Sequence, residues 1–162
     1  MDNIFADRIN DVPRSFIREI LKVAQDPTVT SFAGGLPNKD LFPVDALNIA
    51  TAKVFDRDGK DILQYSQSEG YLPLREFIAQ RYKDSQGLNI NVEDILITSG
   101  SQQGLDLLGK IYINGGDGLI IESPGYLGAI QAFSIYQPKF LPVSVSEEGM
   151  DTAQLKSTIN NH

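Results

Sequence analysis

From Asp94 onward, short apolar runs that read as strands alternate with longer runs of helical period: 95–98, 102–112, 119–122, 126–136 and 139–145. Strands separated by helices of that length run parallel, joined by right-handed crossovers, with the helices covering the sheet faces. The expected fold class is therefore α/β, an N-terminal helical arm followed by part of a mostly parallel, helix-covered sheet. Ligands of such open sheets bind beyond the carboxyl ends of the strands. Two turns occupy that edge here, Ser99-Gly100-Ser101-Gln102 and Ser123-Pro124-Gly125-Tyr126.

Upstream, Phe16, Ile17, Ile20, Leu21 and Ala24 recur at helical spacing over 15–25, and Asp26-Pro27 stops that helix. Residues 28–42 read as extended and turn-rich, through Gly34-Gly35-Leu36-Pro37 and Phe42-Pro43. Pro43 suits the first position of a second helix with Leu47, Ala50 and Val54 on one face, ended by Asp58-Gly59. Leu74, Phe77, Ile78 and Tyr82 predict a third helix over 73–85. Between them lies the polar loop Leu63-Gln64-Tyr65-Ser66-Gln67-Ser68-Glu69-Gly70. The expected division is an arm with a loop over 1–42 and a sheet-bearing domain over 43–162.

Composition removes several function classes. The 162 residues are 41% apolar and 22% charged, enough for one domain with a core. A net charge of −7 and a pI near 4.6 oppose a broad nucleic-acid footprint, which needs clustered Lys and Arg. With no cysteine and one histidine, His162, the chain offers no thiol, no His-centred triad and no ordinary zinc ligand set. No apolar run reaches the length that crosses a bilayer, and the acidic N-terminus has no signal-type apolar stretch, so a cytoplasmic protein without a membrane partner is expected.

The turn within Thr98-Ser99-Gly100-Ser101-Gln102-Gln103-Gly104 joins a strand-like run to a helix-like one. Its backbone N–H groups, hydroxyls and amides sit at the positive end of a helix dipole, which suits a phosphate. Ser101 also fits a plain helix cap that needs no ligand. The turn has neither the Gly-Lys-Ser/Thr ending of a triphosphate loop nor the full glycine spacing of a dinucleotide turn, so a compact phosphate ester fits it better. Tyr126 is either a packed aromatic at a helix start or a flat platform for a planar heteroaromatic ring. Tyr65 is either a surface tyrosine or a ligand-directed hydroxyl. Gly34 and Gly35 make either a flexible turn or a close approach for substrate.

Four segments together carry a family resemblance: Ser31-Phe32-Ala33-Gly34-Gly35-Leu36-Pro37; Leu63-Gln64-Tyr65-Ser66 with Gly70 and Leu74-Arg75; Thr98 to Gly104; and Pro124-Gly125-Tyr126. In order and spacing they resemble the N-terminal portion of class I/II, fold-type I aminotransferases that use pyridoxal 5′-phosphate, especially the aminoadipate and kynurenine branch. The resemblance covers nearly all of this chain, which is well under half the length of such an enzyme. It implies that Gly100, Ser101 and Gln102 bind the cofactor phosphate, that Tyr126 stacks on the pyridine ring, and that Tyr65 reaches the phosphate of the neighbouring subunit of a homodimer. It further implies that Gly34, Gly35 and Arg18 face the substrates, an amino acid and a 2-oxo acid. Residues 1–42 become the arm and substrate-side loop, and 43–162 a partial cofactor-binding large domain.

The same resemblance puts the cofactor-bearing lysine, the aspartate at the pyridine nitrogen and the arginine that clamps the substrate carboxylate after residue 162, so no catalytic residue is assigned here. Lys22, Lys39, Lys53, Lys60, Lys83, Lys110, Lys139 and Lys156 all read as solvated surface charges, none in a Schiff-base motif. The chain alone is expected to be inactive, to bind the cofactor weakly and to be marginally stable. Three rivals stand beside this reading. An effector-sensing aminotransferase-like domain of a transcriptional regulator would carry a winged helix-turn-helix domain ahead of it, for which Met1 leaves no room. A noncatalytic binding module leaves the Gly-Gly-Leu-Pro and Gln-Tyr-Ser segments unexplained, and lyases or decarboxylases with the same cofactor differ only in later residues.

Overall fold

The computed structural model describes residues 4–9, 28–30, 32 and 35–162. The helix expected over 15–25, together with Arg18 and Gly34, lies outside the described residues. Two compact units divide between Ile97 and Thr98, with residues 4–9 belonging to the unit that holds 98–162.

The unit before that division holds helices α1 (Val44–Asp58) and α2 (Leu72–Gln86). Short 3-10 turns flank them at Lys39–Leu41, Asp61–Leu63 and Val92–Asp94. Pro43 sits one position earlier than expected, as the residue preceding the first helical turn. Both helices end on glycines with positive φ, Gly59 at 55° and Gly87 at 69°, conformations that a side chain disfavours. Pro73 falls within the first turn of α2, where a missing N–H breaks no intrahelical bond. No residue of α1 is buried: on its predicted apolar face Leu47 is 59% exposed and Val54 37%.

Residues 95–98 are a correction to the sequence reading. They are extended, with Ile95 at φ −105° and ψ 122°, but they join no sheet. Ile95 N–H donates to the Val92 carbonyl at 3.3 Å and Ile97 N–H to the Glu69 carbonyl at 2.9 Å, partners in a turn and a loop rather than in a strand. Apolar periodicity predicts extension; a strand also needs a neighbour.

The unit after the division carries the sheet. It contains α3 (Ser101–Tyr112), β1 (Gly118–Ser123), α4 (Leu127–Ser134), β2 (Lys139–Ser146), β3 (Gly149–Met150) and α5 (Thr152–Asn161). β1 and β2 pair parallel from Gly118↔Lys139 to Ser123↔Ser144, the pairing predicted for strands joined through a helix. β3 turns back antiparallel on β2 through Glu147 and Glu148, giving the order β1-β2-β3. Val143, fully buried, and Ala132 form the apolar core.

α3 and α4 meet through a glycine. A Cβ on Gly109 would lie 2.5 Å from Cε2 of Tyr136, so only hydrogen leaves room for that ring. The Tyr136 hydroxyl then donates to Asp106 Oδ1 at 2.7 Å. α4 stops at Ser134, two residues short of expectation, because Gln137 turns the chain at φ 54°. β3 and α5 were not predicted. Asp151 caps α5 by accepting from the N–H groups of Ala153 and Gln154, each at 2.9 Å. Gln154 in turn accepts from Ser144 N–H at 2.8 Å and ties α5 to β2. No described helix is long and apolar enough to cross a membrane.

Candidate functional site

The turn into α3 is built around Gly100, whose φ of 83° and ψ of 171° suit a residue without a side chain. A Cβ there would meet nothing within 4 Å, so backbone conformation rather than crowding reserves the position. Gly100, not Ser101, is the residue that precedes the first helical turn, which corrects the cap reading of Ser101. A glycine cannot cap by side chain. The first-turn amides of Ser101 and Gln102 therefore have neither an intrahelical acceptor nor a side-chain cap from Gly100.

Neighbouring groups fix the turn without consuming those amides. Thr98 Oγ1 donates to the Gly100 carbonyl at 3.1 Å. Gln103 Oε1 accepts from Ser99 N–H at 2.6 Å, and Gly100 N–H donates to the Thr98 carbonyl at 2.9 Å. What remains exposed is a set of donors at a helix start: two backbone N–H groups and the Ser101 hydroxyl. Such a set fits an anion with several acceptor oxygens.

The second turn follows β1 and contains the cis Ser123–Pro124 peptide. Tyr126 precedes α4 and is 62% exposed. Its ring lies over Gly128: a Cβ on that residue would come within 2.6 Å of Tyr126 Cζ. The buried glycine supports one face of the ring against backbone.

One hydrogen bond joins the first turn to α4, two residues past Tyr126. Gln102 Nε2 donates to the Gly128 carbonyl at 3.2 Å. Gly100, Ser101 and Gln102 are thereby brought together with the segment that carries Tyr126. Gln102 thus has two parts: its main-chain N–H faces the donor set, while its side chain is a strut to α4. The resemblance gave Gln102 a place at the phosphate and did not foresee the strut, since nothing in the spacing of 102 and 128 announces a contact.

Tyr65 belongs to the other unit and is 99% exposed. It lines an open groove of about 690 Å³ with Val54, Arg57, Gln64 and Tyr71. The guanidinium in that groove is already engaged, because Arg57 donates to both carboxylate oxygens of Asp58 at 2.7 and 2.6 Å. Those bonds hold the Asp58 carboxyl below the usual carboxylate range. With the groove's guanidinium consumed by that pair, the donor chemistry favours the Gly100 turn over the groove. Gly35 adopts φ 58° in an uncrowded turn. Arg18 and Gly34 are outside the described residues. Each described lysine is exposed, and Lys110 pairs with Asp106 at 3.3 Å.

A family-wide sequence profile, Aminotransferase class I and II, matches residues 33–162. The chain belongs to that family. It is 44% identical over 148 residues to a 2-aminoadipate transaminase of Thermus thermophilus, a match covering 91% of this chain and 36% of that protein. Against aromatic-amino-acid aminotransferase 1 of Thermococcus litoralis the identity is 37%, covering 98% of the chain and 38% of the relative. The HTH-type transcriptional regulator YdcR of Escherichia coli is 32% identical over 91% of the chain and 32% of its own length.

Among solved structures, an alpha-aminoadipate aminotransferase of Thermus thermophilus complexed with N-(5′-phosphopyridoxyl)-L-leucine superposes with a TM-score of 0.84 at 40% identity, over 98% of this chain and 38% of that one. A kynurenine aminotransferase of Pyrococcus horikoshii in complex with PMP gives 0.86 at 33%, over 98% and 39%. The α/β fold is accordingly that of an incomplete fold-type I large domain. The chain spans 36% and 38% of the first two relatives' lengths.

Proposed function

We propose that this chain is the phosphate- and ring-gripping part of a pyridoxal 5′-phosphate-dependent aminotransferase, which moves an amino group from an amino acid to a 2-oxo acid. The observation that carries the reading is the Gln102–Gly128 hydrogen bond, which ties a donor-rich helix start to an exposed aromatic platform within one unit. Family membership and the phosphopyridoxyl-type ligands of the similar structures support it.

In this reading the N–H groups of Ser101 and Gln102 and the Ser101 hydroxyl hold the phosphate ester, aided by the α3 dipole. The dipole contributes about 0.3 to 2 kcal/mol, with charge-assisted hydrogen bonds adding more. Gly100 provides the backbone path that aims those groups, and Tyr126 covers one face of the ring and excludes water from it. Once bound, the cofactor supplies an electron-withdrawing ring that stabilises charge developing next to the transferred amine. By the resemblance, the lysine that carries and moves the proton lies beyond residue 162, Tyr65 completes the phosphate site of a partner subunit in a homodimer, and Gly34, Gly35 and Arg18 face the substrate. Residues 1–42 act as arm and substrate-side loop, and 43–162 as the cofactor-binding portion.

The test is cofactor titration of the full-length protein containing this chain, following ring absorbance. Saturable binding that Ser101→Asp abolishes is expected, because a carboxylate there repels the phosphate. Binding that ignores Ser101→Asp overturns the reading.

The relatives that are regulators favour one alternative, an effector-sensing domain with the same cofactor grip. Transamination of amino acids by the full-length protein, without DNA binding, separates the two.

A further inference from the structure

Arg75 is the buried charged side chain among the described residues, 2% exposed, and the transfer chemistry gives it no task. It projects from the start of α2, and three of its donors are placed. Nε donates to the Gly70 carbonyl at 3.2 Å, Nη2 to Gln67 Oε1 at 2.9 Å, and Nη1 to the Val92 carbonyl at 3.2 Å. Glu93 approaches Nη1 at 3.7 Å, but its side chain is 73% exposed, so water screens that pair. The neutral acceptors are therefore what compensate the guanidinium for leaving water. Two of the three belong to the loop that carries Tyr65.

That loop is held from a second side. Gly70 has φ 107°, and a Cβ on it would lie 2.6 Å from Cβ and Cγ1 of Ile97. Ile97 N–H donates to the Glu69 carbonyl at 2.9 Å, and Gly70 N–H to the Gln67 carbonyl at 3.1 Å. Residues 67–70 are thus clamped between Arg75 and Ile97, while Tyr65, two residues ahead of Gln67, stands free in solvent. An exposed tyrosine on an anchored loop has its direction set by the anchor.

We propose that Arg75 is the positioning residue of the Tyr65 loop, fixing its path through Gln67 and Gly70 so that the Tyr65 hydroxyl points at the phosphate held by a partner subunit. The target of Tyr65 rests on the reading given above; the clamp does not. Arginine is required because one planar fork spans Gly70, Gln67 and Val92 together, whereas a lysine ammonium is a single point.

The experiment uses the full-length, cofactor-loaded protein with Tyr65→Phe, Gln67→Ala, Arg75→Lys and the Gln67→Ala/Tyr65→Phe double variant. Amide exchange over 65–70 and the cofactor dissociation constant are measured. Gln67→Ala removes one exposed acceptor and carries the test if Arg75→Lys does not fold. Expected is about tenfold faster exchange over 65–70, unchanged exchange in β1 and β2, and cofactor loosening similar to that of Tyr65→Phe with no further loss in the double variant. Exchange over 65–70 that stays at the wild-type rate, or losses that multiply in the double variant, overturn the proposal. If Tyr65→Phe leaves the cofactor untouched while Gln67→Ala still frees the loop, the assignment of Tyr65 falls and the clamp stands.

Discussion

The ring of Tyr126 fills the space that a side chain on Gly128 would need, with 2.6 Å between the ring and the position of a Cβ. The same glycine accepts the amide of Gln102 through its carbonyl. One residue without a side chain therefore sets both the tilt of the aromatic surface and its link to the helix start.

Gly128→Ala should push the ring aside while leaving the helix intact. Overpacking of this kind costs about 1 to 3 kcal/mol. The expected outcome in the full-length protein is about tenfold weaker cofactor binding by absorbance titration. Unchanged affinity would show that the ring does not touch the cofactor.

Ser101→Ala removes a hydroxyl but keeps the main-chain donors. Loss of one hydrogen bond, about 1 kcal/mol, should weaken binding of the cofactor about fivefold. The circular dichroism spectrum should not move, since Gly100 rather than Ser101 precedes the first helical turn.

The Asp106–Tyr136 pair should make stability depend on pH at both ends of the scale. The Tyr136 hydroxyl first, and Lys110 second, hold the Asp106 carboxyl below its ordinary range. A lowered pKa contributes stability that is present above the unfolded value and lost as pH falls through the folded one. Asp106 raises the pKa of Tyr136 above its ordinary 10.0, so that contribution is present below the unfolded value and lost as pH rises through the folded one. Urea midpoints measured across pH should therefore fall less steeply at both extremes in Tyr136→Phe than in the wild type. Parallel curves would count against the pair.

Asp151→Ala should destabilise α5 by about 1 kcal/mol, because the carboxylate accepts from two first-turn amides. Asp151→Asn retains an acceptor and should recover most of the loss, read as the urea midpoint.

The legible parts of the fold were those fixed by local chemistry. Periodicity found α1, α2, α3, β1 and β2 nearly to the residue because their apolar spacing and end signals, such as Gly59 and Gly87, act over a few positions. Residues 95–98 looked the same as β1 in sequence and differ only in having no partner strand, information held elsewhere in the chain. α5 had a readable signal that passed unused, Asp151 followed by a helix-compatible run. At the candidate site the donor turn and Tyr126 were legible as residue types at strand ends. The Gln102 strut and the Arg75 clamp were not, because each joins groups whose separation in sequence carries no rule, and the Gly128 support was not, because it depends on which way the Tyr126 ring turns.

β1 pairs on one side with β2 and has no strand on the other among the described residues. A row of six residues, Gly118–Ser123, thus presents main-chain groups that any extended segment can recognise. Produced by itself, this polypeptide should find that recognition in its own copies, and its practical fate would be inclusion bodies or ribbon-like oligomers unless a complementary strand is supplied in trans.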